Sequence, residues 1–210
     1  MKSILTIIIM CLCSAAVAQD SLNVSLQRQE GTMHNIALNI GYSNVGLFGD
    51  VDTLRGVQLN MFSSVTRKEM RGVSMSGIVS SVKQNAYGVQ MSGFISAANG
   101  NMRGVQISGI YNIAKKMNGV QISSLGNATT TPLRGVQLSG ITNVAMGVKR
   151  GMQIAGVANV CSSYMRGIQM AGYNYADSLN GWQIGVVNSC ITHPRGWQVG
   201  IINYSRDTKV

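Results

Sequence analysis

The sequence is poor in charged residues, in aromatic residues and in proline, and each shortage excludes a class of protein. Only 11% of the 210 residues are charged and two are proline, whereas 45% are hydrophobic and 25 are glycine. An intrinsically disordered chain shows the opposite balance, with more charge and proline and fewer aliphatic side chains. The chain is therefore expected to fold, and its abundant glycine favours a β structure rich in turns.

Long apolar runs are also missing, and the one at the N-terminus is short. Residues 5–12 form an apolar stretch after Lys2, and Ala16-Val17-Ala18 follows as a small-x-small site before Gln19. This stretch is shorter than the ~20 residues of a transmembrane helix, and its flanks are those of a secretory signal peptide. Residues 1–18 are predicted to be this signal. We expect an exported protein of the periplasm, outer membrane or cell surface, with net charge reduced from +10 to +9 by the loss of Lys2.

A unit of 14–16 residues recurs ten times from Arg55 onward, with the theme R-G-V-Q-L-S-G-I-x-N. Successive units start 16, 16, 16, 15, 16, 16, 16, 14 and 15 residues apart. Such a fixed period predicts stacked coils that bury a core only together. The first glycine of the unit stands at Gly56, Gly72, Gly88, Gly104, Gly119, Gly135, Gly151, Gly167, Gly181 and Gly196.

Residues after this glycine alternate between aliphatic and polar, which is typical of a strand with one buried face. In one unit Val105 and Ile107 flank Gln106. We expect the aliphatic side chains to face the core and the glutamines to form an outward amide ladder. A later asparagine such as Asn112 is expected to be buried and hydrogen-bonded along the stack. The methionine or leucine before most units, such as Met102, is expected to pack inward.

The predicted fold is all-β: a single-chain β-solenoid of about ten 14–16-residue coils over residues 55–210. Residues 19–54 form an N-terminal segment with a cap coil, in which Leu38-Asn39-Ile40-Gly41 echoes the repeat theme. The alternative is a ten-stranded outer-membrane β-barrel with a structural or pore role. Against it, aromatics make up only 6% of the chain, too few for two interfacial girdles. Antiparallel strands would also place successive Arg-Gly corners at opposite rims.

The last two units carry a resemblance to a known family. G-W-Q-I-G-V-V-N at residues 181–188 and G-W-Q-V-G-I-I-N at residues 196–203 resemble the tandem G-[LV]-Q-[IL]-G-[LI]-x-N units of an uncharacterised bacterial surface-repeat protein family. The resemblance covers about residues 55–204, and most earlier units have one extra residue before the asparagine. It implies a location in the cell envelope or at the cell surface, and no established activity.

Seven of the ten units begin with arginine, and a solenoid would align these side chains in a column. Guanidinium groups about 5 Å apart repel by ~1 kcal/mol even in water, so some contact must offset the repulsion. One interpretation is an anion-binding stripe for acidic polysaccharide or lipopolysaccharide. The other is that each guanidinium bonds the corner carbonyls of its neighbour. The column comprises Arg55, Arg71, Arg103, Arg134, Arg150, Arg166 and Arg195.

Motifs for catalysis, metal ligation or cofactor binding are not found in the sequence. It has no H-E-x-x-H, phosphate loop or G-x-S-x-G, and Asp177, Cys190 and His193 lack motif spacing. We expect a non-enzymatic protein without cofactors, associated peripherally with the envelope, whose oligomeric state the sequence leaves open. With few aromatic side chains for stacking, nucleic acid is not an expected partner.

The two cysteines of the repeats are predicted to be free thiols. Cys161 and Cys190 occupy equivalent places two coils apart. At ~4.8 Å per coil their separation is about 9.6 Å, which exceeds the ~7 Å between Cα atoms that a disulfide can bridge.

Overall fold

The computed structural model describes residues 37–40, 43–192 and 196–206, and these ranges are all-β. The described part of the chain holds no helix long and apolar enough to cross a bilayer. The strands are β1 (Ala37–Ile40), β2 (Ser43–Ser76), β3 (Val79–Val82), β4 (Asn85–Ser92), β5 (Ile95–Ser108), β6 (Tyr111–Ser123), β7 (Gly126–Thr129), β8 (Leu133–Ser139), β9 (Thr142–Ala145), β10 (Val148–Ala155), β11 (Ala158–Met170), β12 (Tyr173–Ile184), β13 (Val187–Thr192), β14 (Trp197–Val199) and β15 (Ile202–Ser205).

Neighbouring coils pair in parallel, with like residues opposite one another. Between β4 and β5, Gly88 lies opposite Gly104 and Gln90 lies opposite Gln106. The same parallel register continues to the pairing of β13 with β15. The chain is therefore a β-solenoid of about nine turns, and the predicted fold is confirmed. The alternative of a ten-stranded membrane barrel is wrong, because its neighbouring strands would be antiparallel.

The first described strand pairs in the antiparallel sense, unlike the coils that follow it. Ala37 to Ile40 of β1 lie antiparallel to the first residues of β2, with Ala37 opposite Gly46. Residues 1–36 lie outside the described part of the chain, so the signal peptide and the cap coil remain predictions. The described part of the cap segment begins with this antiparallel pair, and its later residues Asp50 and Asp52 lie beside Arg67 and Lys68 of the following coil.

Each coil turns at three corners. The first corner is the leading glycine of the unit, such as Gly104, whose φ is +133°. The second is the bend at the second glycine, such as Gly109-Ile110. The third is an irregularity of register just before the next unit, as between Ala98 and Asn101. Three short faces therefore surround a narrow interior.

Close approach between coils explains both glycine columns. A Cβ on Gly104 would lie 2.0 Å from the carbonyl oxygen of Gly88, and one on Gly109 would lie 1.9 Å from that of Gly93. The positive φ of Gly104 adds a conformation that other residues rarely adopt. The glycines that define the repeat are thus required by the stacking of backbone on backbone.

The interior is lined by amides, and the predicted orientation of the first strand is wrong. Val105 and Ile107 point outward and are half-buried, whereas Gln106 between them is fully buried. The amides repeat at the strand spacing, so from Gln90 onward each inward glutamine meets the next one at hydrogen-bond distance, whereas Ser74 stands between Gln58 and Gln90. The fully buried members of this glutamine column are Gln58, Gln90, Gln106, Gln121, Gln137, Gln153, Gln169 and Gln183.

Two side-chain ladders run along the interior. In the glutamine ladder, Nε2 of Gln121 donates to Oε1 of Gln106 at 2.8 Å, and each later glutamine donates to the one before. In the asparagine ladder, Nδ2 of Asn127 donates to Oδ1 of Asn143 at 2.9 Å, so donation runs the opposite way. The predicted asparagine ladder is confirmed. It comprises Asn112, Asn127, Asn143, Asn159, Asn174, Asn188 and Asn203.

Apolar side chains fill the remaining interior near the third corner. The predicted inward packing of the residues before each unit is confirmed, because Met70, Met102, Met117, Leu133, Met165 and Leu179 are fully buried. Cys161 and Cys190 are also buried and form no disulfide, and Ala176 separates them in register. The prediction that the two thiols are not joined is therefore confirmed.

Candidate functional site

One face of the rod, from the third corner to the first, collects the positive charge. Residues 70–176 contain nine lysines and arginines and no aspartate or glutamate. All nine side chains are exposed on this face or at its two corners. We call this set the basic face: Arg71, Lys83, Arg103, Lys115, Lys116, Arg134, Lys149, Arg150 and Arg166.

The predicted arginine column is real but interrupted. Arg134 lies directly opposite Arg150 in the next coil. Tyr87 stands between Arg71 and Arg103, and an asparagine separates Arg103 from Arg134. Of the other predicted members, Arg55 and Arg166 are exposed, and Arg195 lies outside the described residues.

At the N-terminal end of the arginine column, contacts with neighbouring side chains offset the repulsion between guanidinium groups. Nε of Arg71 donates to the Glu69 carboxylate at 2.8 Å. The guanidinium carbons of Arg71 and Arg103 each lie 5.7 Å from the centroid of the Tyr87 ring. Cation–π contacts at exposed sites contribute about 0.5–1 kcal/mol each. The tyrosine that breaks the arginine column therefore stabilises the two arginines beside it.

Farther along the rod these contacts end. Within residues 43–192, the structure gives Arg134, Arg150 and Arg166 neither a hydrogen bond nor an ion pair. The corner-carbonyl contacts of the second interpretation are not formed by these three side chains. Their charges face solvent, and an anion would offset the repulsion between Arg134 and Arg150.

An open groove of about 340 Å³ lies in the middle of the basic face. It forms where Asn118 replaces an arginine, which leaves space between the longer side chains of the neighbouring coils. The Thr131 hydroxyl donates to the Lys115 carbonyl at 2.6 Å and fixes the loop at one side of the groove. Four cations and no acid line the groove: Arg103, Lys116, Arg134 and Lys149, together with Asn118, Thr131 and Pro132.

The groove adds Lys116 and Lys149 to the predicted stripe. Neither belongs to the arginine column, so the repeat theme does not reveal them. Lys149 is an extra residue at the irregularity between Val148 and Arg150. The signal that could have found both is the acid-free stretch from 70 to 176.

Ion pairs between side chains are found at the N-terminal end of the described rod. Arg67 pairs with both carboxylate oxygens of Asp50, and Lys68 lies 3.1 Å from Asp52. These pairs place basic side chains beside acids, unlike those of the groove. Arg67 and Lys68 therefore serve as control cations for the basic face, because aspartates already pair them.

A nucleophile or metal centre gains no support from the described residues. No group of three His, Cys, Asp or Glu side chains that could hold a metal occurs in these ranges, and His193 lies outside them. Burial raises the pKa of Cys161 to about 11, whereas an activated cysteine needs a lowered pKa. Asp177 accepts a hydrogen bond from the Tyr175 hydroxyl at 2.8 Å, which raises the pKa of that tyrosine.

Comparisons with protein-family models, with characterised proteins and with solved structures find no match for this chain. The resemblance to the surface-repeat family therefore stays a prediction.

Proposed function

We propose that this is an exported, non-enzymatic repeat protein of the cell envelope whose basic face binds acidic polysaccharide in a structural or adhesive role. The observation that carries the proposal is the acid-free stretch from residue 70 to 176, with nine exposed cations on one side of the rod. The export component rests on the sequence of residues 1–18 and the envelope component on the repeat resemblance.

A linear polyanion suits this face better than a compact anion. Gly72 and Gly167 are six coils apart, so the face extends for about 29 Å at ~4.8 Å per coil. A chain with regularly spaced carboxylates can contact several coils at once, and weak contacts then combine. Each exposed ion pair contributes at most about 1 kcal/mol and is screened by salt. Affinity should therefore depend on several cations together and fall steeply with ionic strength.

The test compares two matched double variants of the chain beginning at Gln19. Arg134→Gln/Lys149→Gln removes two cations of the groove, and Arg67→Gln/Lys68→Gln removes the same two residue types where aspartates already pair them. Binding to polygalacturonate is measured by calorimetry at low and high salt. We expect the groove variant to lose about tenfold in affinity, from two contacts of ~0.7 kcal/mol each. The control variant should bind like the parent.

Three results would contradict the proposal. These are no binding of the parent chain to polygalacturonate at low salt, equal losses in the two double variants, and affinity that does not change with salt. Lipopolysaccharide, the other predicted partner, carries phosphates that the same cations can contact. Competition by its deacylated form would show that the two ligands share the groove.

A further inference from the structure

The second corner of the solenoid carries a line of apolar side chains, most of them exposed. Backbone hydrogen bonds keep the line in register, as from Ile78 N to the Phe62 carbonyl at 2.9 Å and from Phe94 N to the Ile78 carbonyl at 3.0 Å. Gly172 takes this place in one coil. We call the line the apolar ridge: Phe62, Ile78, Phe94, Ile110, Leu125, Ile141, Val157, Val186 and Ile201.

Exposure along the apolar ridge is high for side chains of this kind. Eight of its nine side chains are at least 36% exposed, from Phe62 at 36% through Val157 at 58% to Ile201 at 84%, and Ile110 is half-buried. From Phe62 to Ile201 the ridge spans nine coils, or about 43 Å at ~4.8 Å per coil. The bend at the second corner directs these side chains away from the interior, which the glutamine and asparagine ladders occupy.

Both faces that meet at the apolar ridge are also largely apolar. One face presents half-buried aliphatics such as Val105 and Ile107, and the other presents Ile95 and Ile113, each 39% exposed. A strip ~43 Å long and only ~10 Å wide already covers about 400 Å². The largest apolar patch of a typical soluble monomer is about 300–600 Å² and is often functional. The apolar ridge with its two faces thus forms a candidate binding surface.

We propose that the apolar ridge inserts into the surface of an anionic lipid membrane, with the rod lying parallel to the bilayer. The distribution of charged side chains supports an anionic membrane as the partner. Between residues 70 and 176 the other two corners and the face between them carry cations and no acid. Insertion would therefore place apolar side chains in the lipid and basic side chains on both flanks of the rod, where they attract anionic headgroups.

The dimensions of a coil agree with this arrangement. Three faces of about five residues, at ~3.3 Å per residue, give sides of ~17 Å and a height of ~14 Å above the ridge. Interfacial elements insert their apolar face by about 5–10 Å. The basic corners would then lie about 4–9 Å above the acyl chains, and lysine and arginine side chains can reach headgroups across that distance.

A second copy of the chain fits the apolar ridge less well. The ridge is a convex corner made by a bend in each coil, so two rigid ridges would touch along a line, whereas acyl chains deform around it. Two copies would also bring together rods that carry the same net charge, which opposes association. Anionic lipid supplies the opposite charge and a deformable apolar phase together.

The two tryptophans of the chain offer a direct readout of insertion. Trp182 and Trp197 are 46% and 68% exposed and stack with ring centroids 6.0 Å apart. They occupy the column of Val105, on a face that leads to the apolar ridge. Contact with lipid should shift their emission to shorter wavelength and allow quenching by brominated acyl chains.

The experiment uses the chain beginning at Gln19 and vesicles of phosphatidylcholine with phosphatidylglycerol at a 7:3 ratio, or of phosphatidylcholine alone. The parent should float with the anionic vesicles and shift its tryptophan emission, and should bind neutral vesicles more weakly. The triple variant Phe94→Thr/Ile141→Thr/Val157→Thr should bind anionic vesicles at least about 30-fold more weakly. Threonine keeps the β-branched shape that strands favour.

Two single variants of one coil provide a matched pair. Ile141→Thr removes a 44% exposed side chain of the apolar ridge, and Met146→Thr removes a 54% exposed apolar side chain at the third corner. The first should weaken vesicle binding several-fold and the second should leave it unchanged. If the triple variant does not fold, as judged by circular dichroism, this pair decides the question alone.

Three results of the vesicle experiment would overturn the proposal: no binding to anionic vesicles, equal binding to both vesicle types, or no loss of binding in the variants of the apolar ridge. Self-association of the parent in lipid-free buffer, abolished by the triple variant in sedimentation, would overturn it in favour of a second copy. The triple variant should still bind polygalacturonate, because the groove lies on the opposite side of the rod. Failure of the membrane proposal and failure of the polysaccharide proposal are therefore distinguishable.

Discussion

Replacement of Gln137 by leucine tests whether hydrogen bonds between amides, rather than apolar volume, stabilise the interior. Gln137 is fully buried. Its Nε2 donates to Oε1 of Gln121 at 2.9 Å, and its Oε1 accepts from Nε2 of Gln153 at 2.8 Å. Leucine has a similar volume and no polar side-chain atom. The variant therefore leaves the Gln121 oxygen and an amide hydrogen of Gln153 without partners in the interior.

The expected loss follows from two opposing contributions. Each buried polar group that loses its partner costs about 1–3 kcal/mol, so the two groups cost about 2–6 kcal/mol. Burial of the more apolar leucine returns about 1–2 kcal/mol. The middle values of the two ranges give a fall of about 2.5 kcal/mol in the free energy of unfolding, a large part of the 5–15 kcal/mol typical of a folded domain.

The assay is urea unfolding of the chain beginning at Gln19, followed by circular dichroism. The same substitution at Gln198 is the control, because this residue is partly exposed in the last described coil and donates to the Gln183 oxygen at 2.8 Å. Only the Gln183 oxygen loses its partner there, whereas two groups lose theirs at Gln137, so Gln198→Leu should cost about half as much as Gln137→Leu. A Gln137→Leu variant as stable as the parent, or more stable, would refute the ladder as the source of stability.

Three further changes test other parts of the interior by unfolding. Ser96→Asn should stabilise the chain by about 1 kcal/mol and raise Tm by ~2–4 °C, because the buried Asn112 Oδ1 has no hydrogen-bond partner in the structure; a lower Tm would contradict this. Gly104→Ala should cost at least about 3 kcal/mol, because its Cβ would meet the Gly88 carbonyl at a φ of +133°; near-parental stability would count against the stacking argument. The pKa of Cys161 in the folded chain is about 11. An unperturbed cysteine has a pKa of ~8.5. The stability that this shift contributes is complete below about pH 8.5 and is lost as pH rises toward 11, a decline that Cys161→Ala should reduce.

Spacing alone predicts the stack, because nearly equal intervals between glycines place Gly88 opposite Gly104 in any parallel arrangement of coils. The orientation of Gln106 could not be predicted in the same way. A period of two shows that Val105 and Gln106 point to opposite sides but does not show which side is inside. The usual preference for apolar interiors gave the wrong answer, since amides in register along a narrow core satisfy one another.

The candidate site, like the orientation of Gln106, could be predicted from the sequence only in part. The arginine column followed directly from the repeat, whereas the groove depends on departures from it. Asn118 interrupts the column, and Lys149 is inserted where the register shifts. Whether Asn118 and Lys149 open a groove depends on how they lie relative to the third corner. The sequence does not specify the position of that corner.

The opposite donor directions of the two ladders have an electrical consequence. A row of aligned amides carries a dipole along its axis, as a helix does, and the backbone dipoles of a sheet largely cancel. Here Gln121 donates toward the N-terminal end and Asn127 toward the C-terminal end, so the side-chain dipoles oppose each other as well. The axial component of the field is small, and the transverse component set by the basic face dominates. Near an anionic surface the molecule should therefore orient with its long axis parallel to that surface.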